Sequence, residues 1–349
     1  MKFYIGLVYG LQIGAALADP CSKNWNLTRV DELLQIKHCV SFTGALSFNF
    51  RDPVSIDFPS LVEAHDLTIH GAGVTEVKFD GLRSVGRLSV VDTSGLTLIR
   101  MPRLKKADFL SVENARSLHF LEFRSGLDIV GDLTLKNTSL QAIQDIHAKV
   151  IASIVLENNP NLLEMPLSYL QKVNRTFIVK APNEGFVLNA PSLEEVKGNL
   201  IFTKGKRIDM PKLQSIRGNL HLGRLKTLEI TLPISEVKGS LIVNDCTPLI
   251  ILNLPELVNI GRLLQVHGNN ALESIRLRSL KAAKEIQVRA PHMRDIHLNR
   301  ELTTSRKTTM VVKVNCKRIR EIFGLQLGHF VCVSTIKPND TNGAFISLF

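Results

Sequence analysis

Thirteen Lys or Arg fall between Arg276 and Arg320, against three acids, Glu285, Asp295 and Glu301. A block with net charge +10 can hold phosphate, sulfate or carboxylate groups through attraction that weakens with salt. The whole chain carries +11, so apart from Lys2 the remainder is neutral. Strands place alternate side chains on one face, so part of this charge is expected to form one anion-docking patch. Arg276, Arg278, Lys281, Lys284, Lys313, Lys317, Arg318 and Arg320 are the residues expected to make it, with Arg289 in the same block. Nucleic acid is not expected as the partner, because no aromatic residues interleave the basic ones.

The five cysteines could do redox or metal chemistry, but none shows C-x-x-C spacing, which disfavours zinc. Cys21 and Cys39 bracket one short segment, and Cys316 and Cys332 bracket another, so both pairs are expected as disulfides. Closing the first loop contributes on the order of 3 kcal/mol in the chain-entropy model. Cys246 stands alone and is expected as a buried thiol.

No catalytic motif appears: there is no G-x-S-x-G, H-E-x-x-H, Walker loop or dinucleotide fingerprint. Glycosidic cleavage would need two carboxylates a few ångströms apart. Adjacent acids occur only at Asp31-Glu32 and Glu194-Glu195, although acids one structural turn apart could still meet. The expectation is therefore a protein without enzyme activity or cofactor. A polysaccharide-degrading β-helix enzyme stands as the alternative class.

These groups must be positioned by the rest of the chain, which has 349 residues, 44% hydrophobic and 6% aromatic. The start reads as a secretory signal over 1–18: Lys2, an apolar run from Phe3 to Leu17, and Ala16-Leu17-Ala18 as the cleavage site. The run falls short of the roughly 20 residues that span a bilayer, and no transmembrane segment is expected. Beyond it, the chain repeats. Aliphatic-Pro motifs recur at Phe58-Pro59, Met101-Pro102, Ala190-Pro191, Met210-Pro211, Leu232-Pro233 and Leu254-Pro255, the last four prolines 20, 22 and 22 residues apart. A Gly-x-Leu element opens at Gly44, Gly86, Gly131, Gly198, Gly218, Gly239 and Gly261. Degenerate copies fall near His65, Asp108, Ala152, Arg175, Lys284 and Met310.

Thirteen starts at a step near 22 residues mean stacked repeats. Each opens a short alternating run such as Leu133-Thr134-Leu135, and Pro, Gly or Asn interrupts the remainder. The fold expected is all-β: a right-handed β-solenoid of about 13 turns, roughly 60 Å long at about 4.8 Å per rung. Asn49, Asn114, Asn137, Asn158, Asn244 and Asn269 follow the strands and are expected to form an amide ladder at the bends. Exposed end layers need caps. The organisation expected is a disulfide-linked cap over 19–43, with Thr28 and Asp31 as a capping box and Val30, Leu33 and Leu34 as one helical face. Repeats over 44–315, a second cap over 316–333 and a tail over 334–349 complete it. Sequons at Asn26, Asn137, Asn174 and Asn339 are candidate glycosylation sites.

The cap from Cys21 to Cys39 running into Phe42-Thr43-Gly44, together with Leu254-Pro255-Glu256-Leu257 and the Gly-Asn-Leu copies, resembles the fungal cell-wall organisation proteins of the Ecm/Sps type, built from receptor L-domain repeats. The resemblance covers about residues 21–332. It implies a secreted surface glycoprotein that supports wall integrity through contacts with wall polysaccharide or anionic glycan, and with surface proteins. It carries no catalytic residues. A secreted receptor-like or effector protein is a further alternative. Such proteins commonly end in a Ser/Thr-rich stalk and a glycolipid-anchor signal. The tail after Cys332 lacks the spacer, so this C-terminus does not support an anchor.

Overall fold

A computed structural model describes residues 19–180, 183–312, 316, 329–334 and 346–348 of the chain. The proposed signal segment, Lys313, Lys317, Arg318, Arg320, Asn339 and the tail around Asn342 lie outside the described residues.

Over the described residues the chain winds into a β-solenoid of about thirteen coils, numbered here by the strand each adds to one long parallel sheet. Coils 1–6 contribute Ser41–Asn49, Glu63–His70, Ser84–Val91, Lys106–Glu113, Ile129–Lys136 and Val150–Glu157. In coils 7–10 the strand is split in two: Lys172–Val173 with Phe177–Lys180, Glu195–Val196 with Leu200–Thr203, Ser215–Ile216 with Leu220–Gly223, and Glu236–Val237 with Leu241–Asn244. Coils 11 and 12 are continuous again (Asn259–His267, Ala282–Ala290), and coil 13 is split as Thr303–Thr304 and Thr308–Val312.

Register shows why the sequence repeats. One interior column runs Leu46, Leu67, Leu88, Leu110, Leu133, Ile154, Phe177, Leu200, Leu220, Leu241, Leu264, Ile286, Thr308, each paired with the next. Successive members are 20–23 residues apart, so every coil places an apolar side chain on those of its neighbours. The last member breaks the rule. Thr308 is fully buried and its hydroxyl meets that of Thr304 at 3.0 Å, which satisfies both without water.

The aliphatic-Pro motif makes one corner of the coil. In Met101-Pro102-Arg103-Leu104 the Leu104 N–H donates to the Met101 carbonyl at 3.1 Å, with Pro102 in the turn position its fixed φ suits. Met101 and Leu104 both point inward and are buried. After that corner the chain makes a second, interrupted face of short strands. Coils 1–4 form one sheet (Val54–Asp57, Val74–Lys78, Leu98–Arg100, Phe120–Glu122). Coils 5 and 6 are joined there only by an Ala142–Glu164 bridge, and pairing resumes in coil 7 with Val187–Asn189.

The N-terminal cap differs in detail from the sequence expectation. Cys21 and Cys39 are disulfide-linked, and Trp25–Leu27 adds a rung below coil 1. The helix Val30–Ile36 is capped from Arg29: the Glu32 carboxylate accepts the N–H groups of Thr28 (2.8 Å) and Arg29 (3.1 Å), while Asp31 pairs with the Arg29 guanidinium. Thr28 and Asp31 are therefore not the capping box, because the acid three residues after the true N-cap is Glu32. The buried helix face is Leu33 and Ile36; Val30 and Leu34 face outward. At the other end Phe330–Ser334 adds a rung above coil 13, and Cys316 is linked to Cys332. Cys246 is buried and unpaired, as expected.

The asparagines divide into two sets. Asn114, Asn137 and Asn158 adopt left-handed backbone at successive bends, a conformation that Asn tolerates better than most residues bearing a Cβ. Asn137 Nδ2 donates to Asn114 Oδ1 (2.6 Å), and Asn114 Nδ2 to Asp92 Oδ1 (2.8 Å), so a ladder exists on the outside of the bend. Asn269 instead lies inside, with Nδ2 on the Val243 carbonyl and Oδ1 accepting the Cys246 N–H. Asn159, which the repeat pattern does not single out, does the same with Leu135 and Thr138. Asn49 and Asn244 are the last residues of their strands rather than bend residues.

Candidate functional site

The Gly-x-Leu starts do not open the strands. They mark a bulge or break inside the long sheet, flanked by buried positions such as Val196 and Leu200. Coils 7–11 and coil 13 place three residues there where coils 2–6 place two, and this extra residue splits the strand in coils 7–10 and 13. In Lys197-Gly198-Asn199-Leu200 and Arg217-Gly218-Asn219-Leu220 each position has one physical job. A Cβ on Gly198 would sit 2.1 Å from the Arg175 carbonyl oxygen, so only Gly lets the bends stack. Asn199 Oδ1 accepts the Asn219 N–H and Asn219 Oδ1 accepts the Ser240 N–H, both at 2.8 Å, which ties each bend to the next. The Leu enters the core. The cation is left pointing to solvent. The thirteenth bend is Ser305-Arg306-Lys307, not Met310, which is buried two residues inside the strand.

Register and bend hydrogen bonds together put one cation at this bend in seven successive coils: Arg175, Lys197, Arg217, Lys238, Arg262, Lys284 and Arg306. The anchoring backbone bonds are Arg217 N–H to Val196 O, Lys238 N–H to Ile216 O, Arg262 N–H to Gly239 O and Arg306 N–H to Lys284 O. All seven side chains are exposed. In coils 2, 4 and 5 the same bend carries Asp66, Asp108 and Asp132, and Arg175 reaches back to Asp132. Three acids sit in or beside the ridge, and one of them, Glu285, follows Lys284 in the bend of coil 12, where its carboxylate accepts from Gln287 Nε2 at 2.6 Å. Glu195 is held by Lys172 and Arg217 at 2.7 Å each, chiefly by the Lys172 hydrogen bond, and its pKa lies below the ordinary value. Glu236 lies 4.0 Å from Lys238. Along coils 11–13 the position of Glu195 and Glu236 is taken by Asn259, Ala282 and Thr303. Among the described residues Arg262, Lys284, Arg306 and the adjacent Lys307 have no ion-pair partner.

The described members of the basic block read from sequence are spread around the coil, and Lys313, Lys317, Arg318 and Arg320 lie outside the described residues. Arg276 lies on the second face, in register between Asn253 and His297. Arg278 follows that strand, and Lys281 pairs with Glu301 at 2.9 Å. Arg289 sits at the far end of its strand. Of its described residues, Lys284 and Arg306 belong to the ridge. Residues contiguous in sequence run around the coil, whereas residues one period apart stack.

Other groups that could do chemistry are accounted for. Ser274, Asp295 and His297 cluster, but Ser274 Oγ (3.1 Å) and His297 Nε2 (2.7 Å) both meet Asp295 Oδ2, so this histidine is not placed to activate the serine. Cys21, His38 and Cys39 lie together, but both sulfurs are spent in the disulfide. Three of the four adjacent acids have structural partners: Asp31 and Glu32 hold the cap helix, and Glu195 holds two cations, while Glu194 is exposed. A groove of about 340 Å³ occupies the gap in the second face at coils 4 to 5, lined by His119, Phe120, Glu122, Arg124, Gln141 and Gln144. Phe120 is 58% exposed there, and Tyr169, beside His147, is 52% exposed.

Of the sequons, Asn26 and Asn174 are exposed, Asn174 one residue before the first ridge cation, and Asn137 is half-buried with its amide in the ladder. No described helix is long and apolar enough to cross a membrane.

The chain is similar to sporulation-specific protein 22 of Saccharomyces cerevisiae, 22% identical over 275 residues. The match takes in 77% of this chain and 59% of that protein, so the chain spans about three-fifths of the relative's length. No family model matches, and no solved structure matches.

Proposed function

We propose that the chain is a non-enzymatic, secreted glycoprotein of the fungal cell wall, of the receptor L-domain type, that contributes to wall organisation through surface contacts. The observation that carries this reading is the seven-coil row of exposed cations along one bend of the stack. The two disulfides suit an oxidising compartment. The similarity to a yeast protein named for sporulation supports a fungal setting. A general acid would need a carboxyl whose pKa is raised. The carboxyls that depart from their ordinary values, Asp31, Glu76 and Glu195, are all lowered by neighbouring cations.

The test is co-sedimentation of the purified protein with isolated fungal cell wall across a salt series. Retention that falls steeply with salt is expected. Sugar release from the wall by the pure protein would favour the β-helix enzyme instead. No retention even at low salt would favour the receptor-like reading, for which the groove beside Phe120 is the place to look.

A further inference from the structure

We infer that the bend ridge from Arg175 to Arg306 is a track for one extended polyanionic polysaccharide, lying parallel to the solenoid axis. This rests on the reading of the chain as one that acts through surface contacts, but it names a ligand, a direction and a set of residues.

Geometry supplies the direction. Neighbouring rungs are about 4.8 Å apart, so seven cations span roughly 29 Å in a straight row. A compact anion such as a single phosphate would touch one or two of them. Only a ligand that is itself linear and repeatedly charged can meet them all. The spacing of one cation per rung is comparable to the length of one sugar residue in an extended chain.

The row is also costly to keep. Like charges directly opposite on adjacent strands repel. The same sheet shows the usual remedy a short distance away, where Glu113, Lys136, Glu157 and Lys180 alternate in sign. At the bend a cation recurs in all seven coils with one acid among them, Glu285, whose carboxylate is hydrogen-bonded to Gln287, and the last three cations have no ion-pair partner among the described residues. A partner outside the chain that brings negative charge removes the repulsion.

Next to the cations lies a row suited to sugar hydroxyls. The side-chain oxygens of Asn199 and Asn219 accept from the next bend, and no protein acceptor takes their Nδ2 groups among the described residues. These amides are half-buried and fixed, so they offer preplaced donors beside the charges. Base stacking, by contrast, would require exposed aromatics along the row, and coils 7–13 place none at this bend. Polysaccharide is therefore the class that the row fits.

The experiment uses the purified chain and oligogalacturonates of increasing length as the probe, with neutral dextran oligomers and a single-stranded oligothymidylate as comparisons. Affinity should rise with length until about seven charges are engaged, and fall with salt. Arg262→Glu/Lys284→Glu/Arg306→Glu should weaken binding by about tenfold or more at low salt and reduce the salt slope. A control with the same charge change on the opposite bend, Lys204→Glu/Arg224→Glu/Lys226→Glu, should lose less than about threefold. Arg262→Gln/Lys284→Gln/Arg306→Gln provides a milder variant should the reversed triple fail to fold, and should show a smaller loss in the same direction. Equal losses in ridge and control variants, or affinity independent of length, would overturn the track. Equal or tighter binding of the oligothymidylate at matched charge would also overturn it, in favour of nucleic acid. Wall retention is a separate readout. Its absence with oligogalacturonate binding intact would remove the wall reading and leave the track standing.

Discussion

Two charged rows run along the same sheet and obey opposite rules. In coils 4–7 the outward row Glu113, Lys136, Glu157, Lys180 alternates in sign, and Glu157 pairs with Lys180 at 3.1 Å and Lys136 at 3.9 Å. In coils 7–13 the bend carries a cation in every coil, with Glu285 of coil 12 as the one acid among the bend residues. The first row is what a stack does to hold itself together, since each charge finds its opposite one rung away. The second does little for the stack beyond the pairs Arg175–Asp132 and Arg217–Glu195, and its cations are held in place by glycines and asparagines that serve the backbone. A repeat protein can thus separate the residues that define the coil from the residue that the coil displays.

The largest effect should come from the display device itself. A Cβ on Gly218 would lie 2.6 Å from the Gly198 carbonyl oxygen and 2.5 Å from Asn199 Oδ1. Gly218→Val should therefore cost about 3 kcal/mol or more in urea unfolding, because backbone must move in two coils. Ser153→Val at the bend of coil 6, where a side chain is already accommodated, should stay within about 0.5 kcal/mol. A silent Gly218→Val would mean that close stacking is not what demands glycine.

A charge reversal in each row should have opposite signs. Glu157→Lys removes two ion pairs and sets three lysines in line, so it should lower stability by about 1 kcal/mol at low salt. Lys284→Glu places an acid between Arg262 and Arg306 and should raise stability by a few tenths of a kcal/mol. Both effects should shrink when the melts are repeated at high salt. Shifts of the same sign would show that the two rows are electrostatically equivalent after all.

The smallest effect concerns Glu195, which ties the ridge to the sheet. Its folded pKa lies below the ordinary 4.5 because Lys172 and Arg217 favour the carboxylate. Its contribution is therefore complete above about pH 4.5 and is lost as pH falls through the lower folded value. Glu195→Gln should cost up to about 1 kcal/mol at pH 7, since both cations are largely solvated. It should also flatten the fall in stability below about pH 4.5. An unchanged acid limb would assign that fall to other carboxyls.

The coil was legible in the sequence because its rules are local. A turn needs Pro102 between Met101 and Leu104, a bend needs Gly198, and these recur at one period. The ridge was not legible, because its members stand 20–24 residues apart with offsets that shift according to whether the cation is the first bend residue, as at Lys238, or the second, as at Arg262. Contiguous charge drew attention instead to Arg276, Arg278 and Lys281, which register then distributed around the coil. The cap helix failed for a similar reason. Asp31 and Glu32 are adjacent, and only the backbone start at Arg29 decides which of them caps.

Cys246 has a use beyond packing. Its sulfur accepts the Leu225 N–H from coil 9, its own N–H donates to Asn269 of coil 11, and burial pushes its pKa up to about 11. A thiol so enclosed and so protonated at neutral pH can be alkylated only while coil 10 is parted from its neighbours. The rate of its labelling in native buffer is thus a clock for local opening at the centre of the cationic half, read without introducing any probe.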